Sequence, residues 1–139
     1  MQTLLLTSIL SLSLLLSSPD KNTPVQQKEK GFTNLFDGKT TKGWHSYGQP
    51  TAGEAWKVEN GVLHLDGAYK DANKGKGGGD LVTDKDYENF HLKLEWKISQ
   101  GGNSGIFYLG KETPGKEIWA SAPEFRVLDN DRHPDALLG

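Results

Sequence analysis

Asn89–Leu109, NFHLKLEWKISQGGNSGIFYL, is the stretch whose reading decides the fold. Phe90, Leu92, Leu94, Trp96 and Ile98 occupy every second position, with His91, Lys93, Glu95 and Lys97 between them. Side chains of a strand alternate between its two faces, so the pattern predicts one long strand, apolar on one face and wet on the other. Such a face needs a second layer to cover it. Ser99-Gln100-Gly101-Gly102-Asn103 follows as a turn cluster rich in residues that tolerate positive φ, and Ser104–Leu109 is expected to run back as the partner strand. This predicts a β-hairpin with a glycine-rich tip and places Trp96 in the core.

Outward from that unit, other strands are expected at short spacing. Trp56-Lys57-Val58-Glu59 and Val62-Leu63-His64-Leu65 flank Asn60-Gly61, the preferred pair for a two-residue type I′ turn. Asp80–Thr83 and Pro123–Asp129 read as further extended pieces. So do Gly31–Phe36, closed by the Asp37-Gly38 turn pair, and a short piece at Trp44. Gly67–Gly79, with Lys70, Lys74, Lys76 and three consecutive glycines, reads as a flexible surface loop because it lacks the spacing of a phosphate-binding loop. No heptad, repeat or convincing amphipathic helix interrupts the pattern. The expected class is all-β, an antiparallel sandwich or barrel.

The chain has 139 residues, enough for one domain, with 24% charged and 35% hydrophobic residues and 17 glycines. A formal charge of −2 with no clustered basic surface argues against nucleic-acid binding. The absence of cysteine excludes disulfides, thiolate catalysis and cysteine-ligated zinc. Residues 1–18 carry no charged side chain, and Leu4–Leu16 is an apolar run ending in small residues before Pro19 and Asp20. It has the form of a secretory signal peptide without a basic leader, and an uncleaved anchor is the alternative. The expected organisation is a signal peptide over 1–18, a polar linker over 19–30 and a β domain over 31–139, in a secreted or periplasmic protein that is off the membrane once processed.

Titratable groups gather late in the chain: Glu124, Arg126, Asp129, Asp131, Arg132, His133 and Asp135. On a strand, Glu124, Arg126 and Leu128 share one face and Phe125 and Val127 the other, so a carboxylate lies beside a guanidinium. Arg126 would hold Glu124 ionised, which suits a general base or an acceptor of sugar hydroxyls; an exposed ion pair of purely structural role fits the same spacing. Asp129 falls on the opposite face unless a bulge re-aims it, or it begins the following loop. His133 adjoins this cluster in a loop, where it could carry a proton. His64 and His91 occupy wet-face positions, and the four histidines include no pair at metal-ligand spacing. Trp119, in the loop before the acidic strand, could stack on the C–H face of a sugar or simply pack.

Taken together, the motifs resemble a family. Gly31-Phe32, Phe36-Asp37-Gly38, Gly43-Trp44 and Trp56-Lys57-Val58-Glu59-Asn60-Gly61-Val62-Leu63 are similar to the opening of the 3-keto-disaccharide hydrolases, formerly a domain of unknown function. Gly79-Asp80-Leu81, Tyr87-Glu88-Asn89-Phe90, Glu95-Trp96-Lys97-Ile98 and Gly102-Asn103-Ser104-Gly105-Ile106-Phe107 continue the resemblance. Ala122–Asp129 and His133-Pro134-Asp135-Ala136 complete it. The resemblance implies a concanavalin-A-like jelly-roll sandwich, of which this chain would hold the N-terminal part with later strands missing. It also implies export and action on glycosides oxidised at C3. The family's usual Gln is replaced by Arg126.

A C3 ketone acidifies the C2 proton, so a base can remove it and expel the C1 substituent, after which water adds; direct hydrolysis is the alternative route. That chemistry needs a base, a cation or metal for the enolate, and an acid for the leaving oxygen. Glu124, Arg126 and His133 are the catalytic candidates, and Tyr108, Trp119 and Asp129 the substrate contacts. A divalent metal at Glu124 stays open. A carbohydrate-binding module without catalysis and a structural or adhesion domain are the competing readings.

Overall fold

The structure, a computed structural model, describes residues 29–137. The expected signal peptide and nearly all of the polar linker lie outside the described residues. Among the described residues six strands are formed: β1 (Trp44–Ser46), β2 (Trp56–Glu59), β3 (Val62–Leu65), β4 (Leu81–Thr83), β5 (Asn103–Phe107) and β6 (Glu124–Leu128). The helical elements among the described residues are one short helix, α1 (Gly67–Ala72), and two 3-10 turns, at Ile118–Ala120 and Pro134–Leu137. Every strand pair is antiparallel, in the ribbons β1–β4, β2–β3 and β5–β6. This is an all-β fold.

The β2–β3 hairpin forms as the Asn60-Gly61 pair requires. Asn60 has φ 51° and Gly61 φ 76°, both in the left-handed region of a type I′ turn, and Trp56 pairs with Leu65 through to Glu59 with Val62. The Asp37-Gly38 turn also forms. Asp37 Oδ1 accepts from the Lys39 and Thr40 amides at 2.7 Å each, and the Thr40 hydroxyl donates to Oδ2 at 2.6 Å. The Thr40 hydroxyl and these amides hold the Asp37 carboxyl down at about 2. Residues 31–36 are not a strand; the Leu35 carbonyl instead accepts the Trp44 indole N–H at 2.8 Å.

Residues 67–79, read as a flexible loop, are more ordered than their composition suggests. Asp66 caps α1 by accepting the Tyr69 amide at 2.9 Å, and the returning glycines are clasped to the hairpin. The Ala55 amide donates to the Gly77 carbonyl at 2.8 Å, and Ala55 is fully buried. Any side chain at Gly53 would collide with that carbonyl, so the close approach requires glycine there.

The pairing expected for 89–109 is not the one formed. β5 pairs with β6, Asn103 opposite Leu128 through to Phe107 opposite Glu124. Residues 90–98 are in neither helix nor strand, and among the described residues no strand pairs with them. The reason lies in the 99–102 turn, which is tied to the end of β6. Gly101 N–H donates to Asp129 Oδ2 at 2.7 Å, and the Asp129 amide donates to the Gly102 carbonyl at 3.1 Å. The turn thus delivers the chain to β6 rather than folding it back on itself. Trp96, expected in the core, is 52% exposed, and Phe90, Leu92 and Leu94 are exposed with it. Among the described residues the buried apolar ones are Ala55, Ile118 and Val127.

Candidate functional site

Glu124 opens β6 and so stands at one end of the β5–β6 ribbon, opposite Phe107. Arg126 is opposite Gly105. The register puts Glu124, Arg126, Gly105 and Phe107 on one face, while Val127 turns to the other and is buried. The Glu124 side chain lies across Gly105, where a Cβ would run into its carboxylate. A glycine in β5 is therefore what leaves room for the acid, a role that the Asn103-Ser104-Gly105 motif does not announce. Glu124 is exposed.

Arg126 does not pair with Glu124. Its Nη2 donates to Asp135 Oδ2 at 2.6 Å, joining β6 to the 3-10 turn at Pro134–Leu137. The expected carboxylate–guanidinium neighbours share a face, but the ion pair runs from strand to loop. A guanidinium carries five N–H donors in a fork, so this pair leaves others free for a ligand.

His133 is fixed in the same loop. Its amide donates to the Asp129 carbonyl at 2.8 Å, and its Nδ1 accepts the Asp135 amide at 3.1 Å. Acceptance at Nδ1 assigns the neutral ring's proton to Nε2, the only ring nitrogen left to meet a substrate. Asp129 begins the loop after β6 and is engaged within the chain at both oxygens: Oδ2 by Gly101, Oδ1 by the Asp131 amide at 3.2 Å, with Arg132 Nη1 at 3.6 Å from Oδ2. The Gly101 amide first, then the Asp131 amide and Arg132, hold its carboxyl below the ordinary value.

Between β5 and β6 the chain makes a long excursion that closes on itself. Ile118, buried, packs against Gly110, where any side chain would strike it and Ala122. Ile118 anchors the 3-10 turn, and Trp119 next to it stands out with 70% of its surface exposed. Tyr108 is exposed, its amide donating to the Pro123 carbonyl at 3.2 Å. Tyr108, Trp119 and Glu124 thus belong to the connection and to the ribbon end from which it springs. Two open concavities, of about 750 and about 830 Å³, adjoin the Tyr47–Gln49 turn instead, and Glu124, Arg126 and His133 line neither.

Among the described residues the polar groups of the loop after β6 are engaged with one another. Both oxygens of Asp129 are taken by amides, Asp135 is paired with Arg126 and His133 Nδ1 is committed. Among the described residues no group of three or more His, Asp or Glu side chains gathers as metal ligands do.

Sequence reasoning missed a second cluster altogether. His45, on β1, bonds Asp84 through Nδ1 at 2.7 Å and Glu112 through Nε2 at 2.8 Å. Glu112 Oε1 also accepts the Gly48 amide at 2.7 Å. The Glu112 and Asp84 carboxylates raise the imidazole above its ordinary 6.5; the Gly48 amide, then His45, lower Glu112 below its ordinary 4.5. The partners lie 39 and 67 residues from His45, so no local spacing could have pointed to them.

These features define a β protein with an acid opening one end of the β5–β6 ribbon, a guanidinium mid-strand on the same face, and an imidazole in the loop beyond the ribbon's other end, which the structure does not bring against the acid. Residues 31–139 match the 3-keto-alpha-glucoside-1,2-lyase-like domain, and the chain belongs to that family. It is 44% identical over 118 residues to a 3-keto-disaccharide hydrolase of Bacteroides thetaiotaomicron, an alignment covering 78% of this chain and 41% of that protein. The chain therefore spans less than half the length of that relative.

Proposed function

We propose that this protein degrades glycosides carrying a ketone at C3 and does so outside the cytoplasm. Family membership and the relative's name support the substrate class. The apolar run at Leu4–Leu16 supports export. The observation that carries the reading is the exposed Glu124 carboxylate lying over Gly105, with Arg126 on the same face.

In this mechanism Glu124 takes the C2 proton, and the C2–H electrons form the C2–C3 double bond of an enolate. Arg126 offsets the charge on the C3 oxygen. As the carbonyl re-forms, the double bond moves to C1–C2, the C1–O bond breaks and the leaving oxygen takes a proton from His133 Nε2–H. Water added across the unsaturated product at C1 and C2 completes a net hydrolysis. Trp119 and Tyr108 would bear on the sugar's C–H face, and Asp129 on hydroxyls to the extent that its internal bonds leave it free. The scaffold in this reading is a jelly roll.

The test is Glu124→Gln in the intact protein, assayed on a 3-keto-glycoside. A general base contributes about 10²–10⁴-fold, so a loss of that order with substrate binding kept is expected. Full turnover would refute the assignment. A second reading, a binding module without catalysis, draws on the exposure of Trp119. Glycan binding lost in Trp119→Ala and untouched in Glu124→Gln, with no turnover in the parent, would establish it instead.

A further inference from the structure

The His45 cluster ties together three pieces of chain. β1 carries the ring, Asp84 follows β4, and Glu112 sits in the 110–117 arm between β5 and Ile118. The ribbon register, with His45 opposite Val82, brings the end of β4 to one ring nitrogen. The arm reaches the other. It is held a second time nearby, where the Thr113 amide donates to the Tyr47 hydroxyl at 2.8 Å. One of the open concavities, of about 830 Å³, lies between this arm and the Tyr47–Gln49 turn and counts Glu112 and Thr113 in its wall.

The bonding pattern fixes the protonation state. A carboxylate only accepts hydrogen bonds, so an imidazole between two of them must donate from both nitrogens, which only the doubly protonated ring can do. The neutral ring of either tautomer turns a lone pair toward one carboxylate. Asp84 and Glu112 are the titratable groups facing the ring, and no cation among the described residues opposes them. The ring is mostly enclosed, its side chain 17% exposed, so both bonds are partly sheltered from water.

We infer that His45 is a positioning residue: as an imidazolium bonded to Asp84 on one side and Glu112 on the other, it latches the 110–117 arm to the β1–β4 ribbon and releases it in alkaline solution. The direction follows from linkage. A base held above its ordinary 6.5 stabilises fully below that pH, and the contribution is lost as pH rises through the raised value. Glu112, held below 4.5, stabilises fully above that pH, and its contribution is lost as pH falls through the lowered value. The latch is therefore fully closed between 4.5 and 6.5. The Thr113 amide keeps its bond to the Tyr47 hydroxyl, so release loosens the arm and widens the concavity without detaching the loop.

The experiment follows the ring nitrogens of His45 and the Gly48 amide by NMR in the full-length chain from about pH 5 to about pH 9, a span that brackets histidine titration. Both nitrogens are expected to stay protonated past 6.5, and the Gly48 amide, bonded to Glu112, to shift with the same inflection. Glu112→Gln should move that inflection back toward 6.5. In His45→Gln at about pH 6 the Gly48 and Thr113 amides should exchange with solvent roughly ten-fold faster, as local opening becomes easier. A His45 inflection at or below 6.5, or a Gly48 amide blind to it, would overturn the inference using the unaltered protein alone.

Discussion

The β2–β3 hairpin and residues 89–98 carry the same sequence signal and end differently. Both alternate apolar and polar side chains. Trp56–Leu65 contains its own turn, Asn60-Gly61, whose two left-handed residues close the pair at the shortest possible loop. The longer stretch has the stronger alternation but is followed by a turn whose amide and carbonyl are bonded to Asp129 at the far end of β6. Alternation specifies an extended backbone with two faces. Which strand it pairs with is set by what the adjoining turn is attached to.

The sharpest way to break this contrast is Gly61→Val. A β-branched residue at φ 76° should cost about 1–3 kcal/mol, read as lost hydrogen-exchange protection of the β2–β3 amides. A gentler perturbation is Asp129→Asn, which weakens the tie between the 99–102 turn and β6. The Gly101 amide should move upfield and exchange faster. Acidification should reproduce the change in the parent protein, because the Asp129 carboxyl, held below its ordinary 3.8, gives its stabilisation above that pH and loses it as pH falls through the lowered value. The smallest effect is expected at Trp96. Burial of such a ring would make truncation cost several kcal/mol, whereas Trp96→Ser at its exposed position should change the midpoint of chemical unfolding by less than about 0.5 kcal/mol equivalent.

What could be read in advance follows the range of the interaction. Asn60-Gly61, the Asp37-Gly38 turn and the shared face of Glu124 and Arg126 all depend on neighbours a few residues apart, and backbone geometry alone makes them legible. The partner of Arg126 is nine residues downstream, inside the Pro134–Leu137 3-10 turn, and spacing suggested the nearer Glu124 instead. His45 meets carboxylates contributed by the end of β4 and by an irregular arm, a convergence that depends on two separate loop closures. The exposure of Trp96 is of the same kind. Its alternation is correct, but burial needs an opposing layer, and no local pattern says where that layer comes from.

The clasp between Gly77 and the hairpin bears on how this protein can be engineered. Lys74–Gly79 is exposed along much of its length and has the composition of a spacer, the sort of place chosen to splice in an epitope tag or a fluorescent reporter. Yet the Gly77 carbonyl accepts from a fully enclosed Ala55 and abuts Gly53, so lengthening the segment by even one residue would strip an interior amide of its acceptor. A graft belongs instead in a segment whose backbone groups face solvent rather than an interior amide.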